Sequence, residues 1–398
     1  MAQSQEHSQE HSQEHSQEQS KEQSKDFGFG EEQALLKDQA RKFIEDKQPL
    51  LALRAATKGT EDPYHGGERP GSFDVAAWHE MVALGWTALA VPEAAGGLGM
   101  SLVTAVAVAE EIGRGAMPTP LTSTLQSTFV LRQASEQDAK SQQAIEWLKK
   151  IVEGSSASLA IQGASGSLEV DATDITVKNN KLNGVACYVQ DIQKVDFLVV
   201  SAKEAGHLKL FCVELNAEGV DVSYDRIVDL TRDQGRVSFS DVTATCIAES
   251  GEDVLNGALP ALLTLVSADI AGGCEWLLQT TAAYAKVRTQ FDRPIGFFQA
   301  VKHPIVNMMI AVDESRSLTY AAAAAYDADS DTCHRAAHFA KSNASDSAEF
   351  CANRATQLHG GIGFTWEHDV QIYHKRVMHS QQLFGDGYWQ RQMAANYL

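Results

Sequence analysis

The sequence predicts a multidomain α+β protein with a helical N-terminal domain, an antiparallel β domain in the middle and a C-terminal helical bundle. Three observations point there. Apolar residues recur at helical spacing from Phe27 to about Glu153, change to short alternating runs over roughly 156–250, and return to helical spacing after Pro260. The chain has 398 residues, room for two or three units at ~100–200 residues per domain. Alanine-rich stretches at 321–325 and 336–355 suit helices that approach one another closely. The expected divisions are a tail at 1–25, a helical domain at 26–155, a β domain at 156–255 and a bundle at 256–398.

Residues 1–25 repeat a Ser-Gln-Glu-His unit, as in Ser4-Gln5-Glu6-His7, and no large apolar residue lies between Met1 and Phe27. Such a segment buries too little apolar surface to offset its ordering entropy, so it is expected to be disordered. His7, His11 and His15 would share a face if helical, which admits a metal; a solvated tail is the simpler expectation. Ala34, Leu35, Ala40, Phe43 and Ile44 then recur on one helical face. Phe73-Asp74 opens a further helix that Gly85 ends, and Ser101 is placed to cap the helix through Glu110 and Glu111. That acidic pair is expected to make solvent or structural contacts rather than to form a catalytic dyad.

In the middle, the runs at 158–161, 174–177, 197–200, 208–213 and 236–239 read as strands. Asn179-Asn180 and Asn183-Gly184 supply the turn signals between them. Beyond Pro260, Leu262, Leu265, Val266, Ile270, Leu277 and Leu278 share one broad helical face.

Hydrophobic residues make up 44% and charged residues 21%, and the net charge is −19. This is a globular composition with no positive excess to release counterions from nucleic acid. No uninterrupted apolar run approaches the ~18 residues of a membrane span, and the N-terminus lacks a charged-then-apolar signal pattern. The six scattered cysteines include no CxxC pair and read as buried thiols of a reduced compartment. A cytoplasmic protein with no membrane or nucleic-acid partner is therefore expected.

Two strings carry chemistry. In Gln357-Leu358-His359-Gly360-Gly361-Ile362-Gly363-Phe364 the adjacent glycines leave backbone N–H groups uncovered, so a polyanion can approach the main chain. The second string is Arg288-Thr289-Gln290-Phe291-Asp292-Arg293-Pro294-Ile295-Gly296-Phe297-Phe298-Gln299. Arg288 can pair with phosphate through its planar fork, and Phe291 can stack on a ring. Taken singly, these residues are equally a helix cap, a surface arginine and a core phenylalanine.

Together the two strings resemble the acyl-CoA dehydrogenase family. The likeness extends to Gly85-Trp86, Val91-Pro92-Glu93, Gly96-Gly97-Leu98-Gly99, Glu110-Glu111-Ile112-Gly113-Arg114 and Pro118-x-Pro120. The resemblance implies the helix–sheet–helix fold and an oligomeric bundle core. It also implies an FAD gripped by Arg288, Phe291 and Gln299 of one chain and by Gln357, Gly360 and Gly361 of its neighbour. It further implies an acyl-CoA substrate, α,β-desaturation, and an electron-transfer flavoprotein as acceptor.

The chain departs from the family in three places. Residues 161–167 replace the usual TEPxxGSD segment, and Tyr188 stands where a flavin-facing Trp is usual. Both positions that supply the family's base are apolar, namely Phe384, beside the retained Gly385, and Leu262. A carboxylate in a dry pocket suits removal of an α-proton, because desolvation raises its pKa toward neutrality. Asp386 is two residues from the first position, and Asp269 and Glu275 lie two or more turns from the second, so none is a natural substitute.

The stretch from Trp366 to Arg376, with Leu383 to Asp386, resembles a branch from bacterial steroid side-chain degradation in which two different family chains pair. The resemblance thus implies a subunit whose base comes from a partner chain. A homo-oligomer with an unrecognised base and a catalytically inert structural subunit remain open beside it, with a nucleic-acid-binding flavoprotein behind them.

Overall fold

The computed structural model describes residues 28–57, 74–137 and 141–397; the repeat-bearing tail and Phe73 lie outside them. Six helices form the N-terminal part: α1 (Glu31–Lys47), α2 (Pro49–Thr57), α3 (Val75–Ala83), α4 (Leu102–Arg114), α5 (Leu121–Gln137) and α6 (Ser141–Val152). The side chain of Asp74 caps α3, accepting from the Ala77 N–H at 3.0 Å. Gly85 at φ +80 follows the end of that helix. Ser101 caps α4 through the Thr104 N–H at 3.3 Å. Asp327 reinforces the same helix start by accepting from Leu102 and Val103 N–H, a favourable place for a carboxylate.

The strands are β1 (Ala157–Ala160), β2 (Thr176–Lys178), β3 (Lys181–Gln190), β4 (Phe197–Glu204), β5 (His207–Glu214), β6 (Val220–Tyr224), β7 (Gln234–Thr243) and β8 (Thr245–Ala248). Among the described residues they form one sheet in the order β6-β7-β3-β2-β4-β5-β8, with β1 on β4. The expectation of a wholly antiparallel sheet needs correction, since β1 and β2 both run parallel to β4. Period-two patterning is the same for either direction, so the sequence did not distinguish them.

Asn179-Asn180 makes the β2–β3 turn, both residues at positive φ. Asn183-Gly184 does not turn. It lies inside β3 at a bulge, where Gly184 has φ +135 and a Cβ would come within 2.4 Å of the Asp174 carbonyl. A glycine beside asparagine signals a close backbone approach as readily as a turn.

The bundle is built from α7 (Gly251–Val287), a short hairpin β9 (Thr289–Gln290) and β10 (Arg293–Pro294), α8 (Gln299–Asp327), α9 (Cys333–His359), α10 (Val370–Gln382) and α11 (Gly387–Ala394). Helix α7 is long and apolar enough to cross a membrane by length and composition, but 83% of its apolar window is buried in the fold. It is the core helix that the other layers share. Glycines let α4 cross it closely: a Cβ on Gly272 would lie 1.9 Å from the Glu110 carbonyl, and one on Gly113 2.1 Å from the Asp269 carbonyl. Helix α9 packs through a stripe of fully buried alanines at 337, 340, 344, 348, 352 and 355, spaced for one helix face.

Two buried charge clusters tie the layers together. Glu110, which is 1% exposed, pairs with Lys37 of α1 and Arg316 of α8 and accepts from the Tyr320 hydroxyl at 2.9 Å. Glu111 pairs with Arg41. The acidic pair is therefore structural, and it is held away from solvent. Asp269 of α7 receives Arg232 from the loop after β6 at 2.8 Å and Arg376 from α10 at 2.6 Å. Burial pushes the Asp269 carboxyl up, but the two guanidiniums outweigh it and hold the group below the ordinary carboxylate value. The sheet and the bundle are thus pinned to each other by two arginines that share one buried carboxylate.

Candidate active site

The second string follows directly from the end of α7. Arg288 caps that helix, its N–H donating to the Tyr284 carbonyl. The chain then turns at Phe291-Asp292, both at positive φ, and returns so that the Ile295 N–H donates to the Arg288 carbonyl at 2.8 Å. Phe291 sits at the hairpin tip, 85% exposed, and meets Phe298 edge-on at 6.0 Å. Gln299, next in sequence, starts α8 and is exposed. Arg288, Phe291 and Gln299 are thus exposed residues of one hairpin and the helix start that follows it.

The glycine turn lies at the end of α9. Gln357, Gly360 and Gly361 are exposed, and a Cβ at either glycine would meet nothing within 4 Å. The backbone there is open to an approaching group. Within one protomer the two strings emerge at the same end of the bundle. The Tyr284 ring of α7 stacks on His359 of α9 at 4.5 Å, and His368 flanks His359 at 4.7 Å. An exposed guanidinium, an exposed aromatic and an uncovered glycine pair fit the pyrophosphate and rings of a flavin dinucleotide.

A cavity of about 180 Å³ lies between the sheet and the bundle. The segment 161–170, which departs from the family pattern, supplies one wall through Ile161, Gln162 and Ser167. Leu262 and Phe384, the two apolar base positions, come from α7 and the α10–α11 turn and line the same cavity. Three acidic residues near these positions are engaged elsewhere. Asp386 caps α11 by accepting from the Trp389 N–H at 2.9 Å, Asp269 holds the two arginines, and Glu275 pairs with Arg316. Tyr188 lies in β3 at φ +59, 41% exposed, with its hydroxyl close to Gly166.

The turn carrying Phe384 is held from behind. Phe384 itself is at φ +56. Its carbonyl accepts from Gln390 Nε2. Lys341 Nζ of α9 donates to the Gln381 carbonyl at 2.8 Å, the Gly385 carbonyl at 2.9 Å and Ser345 Oγ at 2.9 Å. Burial pushes the Lys341 ammonium down to about 7, while three acceptors around one nitrogen match the three donors of its charged form. His338, one turn earlier, lines the cavity and shares a 2.6 Å hydrogen bond between its Nδ1 and Gln390 Oε1.

The sequence motifs do not mark His338, Lys341 or Gln390. One signal was available: His338, Lys341 and Ser345 fall at helical spacing beside the alanine stripe of α9, so polar groups were due to be buried there and to need partners.

Comparison with known proteins agrees with this fold. Residues 30–155 match the acyl-CoA dehydrogenase N-terminal domain and residues 250–398 the acyl-CoA dehydrogenase C-terminal domain. Acyl-CoA dehydrogenase IpdE2 of Mycobacterium tuberculosis is 28% identical, over 89% of this chain and 93% of that protein. Acyl-CoA dehydrogenase FadE34 of the same organism is 32% identical over 86% of this chain, which spans 45% of it. Among solved structures, a variant of the Tcur3481-Tcur3483 steroid ACAD superposes with a TM-score of 0.79 at 26% identity, over 93% of this chain and 98% of the other. A helical domain, a central sheet and a helical bundle, with both family domains matched, place the chain in an oxidoreductase class. The chain belongs to the acyl-CoA dehydrogenase family, flavoproteins that use FAD.

Proposed function

We propose that this chain is a subunit of an FAD-dependent acyl-CoA dehydrogenase that takes part in α,β-desaturation of an acyl-CoA thioester, with steroid side-chain CoA esters as the substrate class. Bound FAD would supply the hydride acceptor. Arg288 holds phosphate charge, Phe291 covers a ring face, and Gln299 donates or accepts at the cofactor rim. Gln357, Gly360 and Gly361 present amide groups to the flavin of a neighbouring chain. That neighbour is a second family member, whose own cavity carries the carboxylate that takes the α-proton. Electrons leave to an electron-transfer flavoprotein.

One observation carries this reading. The hairpin and the glycine turn keep the guanidinium, the aromatic and the bare glycine pair, whereas the cavity has Leu262 and Phe384 where a carboxylate is required. The steroid ACAD structure supports the substrate class, and its two-chain name supports pairing.

The test is to purify the chain alone and together with a second family chain, then record visible flavin absorbance and acyl-CoA-dependent dye reduction. The expected result is stable flavin and full turnover only in the mixture. Full turnover by the lone chain, equal to that of the mixture, overturns the pairing. Absence of flavin from both favours an inert structural subunit, in which Leu262 and Phe384 only fill space.

A further inference from the structure

Leu262 and Phe384 leave this chain's own cavity without a carboxylate at the usual positions, yet one group in its wall is built to accept a proton. Gln390 Nε2 donates to the Phe384 carbonyl. A carbonyl only accepts, so the orientation of the Gln390 amide is fixed and its Oε1 faces His338. His338 Nδ1, 2.6 Å from that oxygen, must then be the protonated nitrogen. The lone pair is left on Nε2. The ring is 3% exposed, stacks on Tyr397 at 5.6 Å, and lines the same cavity as Leu262 and Phe384. An imidazole with one nitrogen tied to an acceptor and the other carrying a lone pair is the arrangement a general base requires.

We propose that His338 is the base of a second acyl-CoA site, located in this chain's own cavity, where its Nε2 reversibly takes the α-proton of a bound thioester. This rests on the acyl-CoA reading above and goes beyond it, because the partner's cavity keeps its own carboxylate. In the step the α C–H bond breaks and an N–H bond forms at Nε2. The electron pair stays on the α-carbon, delocalised into the thioester carbonyl, and the reverse step returns a proton from the imidazolium. No oxidant is consumed by this exchange; full desaturation would also need a hydride acceptor, which bound FAD would supply.

Burial lowers the His338 pKa, and the Gln390 hydrogen bond opposes it, with the net shift downward from 6.5. The ring is therefore neutral and able to accept at pH 7. The titratable groups around it are His334 and Lys341 on its own helix, Tyr397 against the ring, Glu169 at the cavity wall and Asp386 in the adjoining turn.

The test is α-proton exchange of octanoyl-CoA in D2O, followed by proton NMR. It uses the FAD-loaded assembly whose second chain has its base carboxylate replaced by the amide, with the lone chain in excess FAD as a comparison. Octanoyl-CoA binding is measured on the same samples by calorimetry. Exchange is expected, falling as pH drops through a pKa below 6.5. His338→Gln should slow it by roughly 10²-fold or more while binding and flavin content hold. Gln390→Glu should raise the imidazole pKa and move the fall to higher pH, a shift that a purely structural histidine would not produce. Bound octanoyl-CoA with no exchange, or exchange unchanged in His338→Gln, overturns the proposal and leaves the acyl-CoA reading standing. Failure to bind octanoyl-CoA in either sample overturns the second site, and failure of a steroid side-chain CoA ester to bind the assembly as well overturns both.

Discussion

Phe384 holds a backbone conformation, φ +56, that a phenylalanine adopts only when its surroundings impose it. Here Gln390 holds its own carbonyl, and Lys341 holds the Gln381 and Gly385 carbonyls on either side. The turn is supported as though the side chain mattered, although that side chain has no acid–base chemistry. Phe384→Glu therefore places a carboxylate on a turn already aimed into the cavity, in surroundings dry enough to raise its pKa. The flavin-loaded variant should show acyl-CoA-dependent dye reduction roughly 10²-fold above the parent chain, read in a steady-state assay. Arg288 tests the cofactor surface instead. Arg288→Ala removes a charge-assisted contact worth about 1.5–3 kcal/mol, so FAD should bind roughly 10- to 100-fold more weakly in a fluorescence titration. The motif residues were legible in the sequence because their chemistry is intrinsic to type and spacing. His338 was not, because its role depends on a glutamine 52 positions away that fixes its tautomer.

At the scale of elements, the helices announced themselves through period, and Ser101 caps where its side chain suggested, while the structure adds the Asp74 cap of α3. What the pattern left out was how closely the helices cross. The alanine stripe of α9 suggested tight packing, yet nothing in the periodicity of α4 or α7 shows that Gly113 and Gly272 lie against each other's backbones. Direction within the sheet was equally invisible, since β1 and β2 alternate in the same way whether they run with or against β4. Gly272→Ala checks the crossing. Its new methyl would sit 1.9 Å from the Glu110 carbonyl, so α4 must move away from α7 and strain the Lys37–Glu110–Arg316 cluster. The loss should exceed the ~1–3 kcal/mol of ordinary overpacking, seen as a lower Tm by circular dichroism. An exposed Gly206→Ala control, where no atom lies within 4 Å of the new carbon, should cost far less, with only the strain of its φ of +88 to bear.

For the molecule as a whole, the order helix–sheet–helix was legible because the hydrophobic period switches twice, and a period of 3.6 cannot settle as a strand. The contact that holds the sheet against the bundle was not, because Arg232, Asp269 and Arg376 are 37 and 107 residues apart from Asp269 outward and no local pattern links them. Sheet and bundle enclose the cavity between them, so their relative position sets its width. Asp269→Asn takes the carboxylate from Arg376 and leaves Arg232 with the more distant Asp229, 3.8 Å away. Removing one member of a buried ion pair costs about 3–5 kcal/mol, so the variant should melt at a clearly lower temperature at pH 7. The acid limb gives an independent check. The Asp269 pKa is depressed in the folded chain, so the unfolded chain binds its proton first as pH falls. The stability from this group is complete above the ordinary carboxylate value of about 4 and disappears as pH drops below it. Between pH 7 and pH 3 the parent should therefore lose more stability than Asp269→Asn, and the two curves should converge at the acid end. Parallel curves across that range would mean that the carboxylate carries no net charge coupling and that apolar packing alone sets the sheet on the bundle.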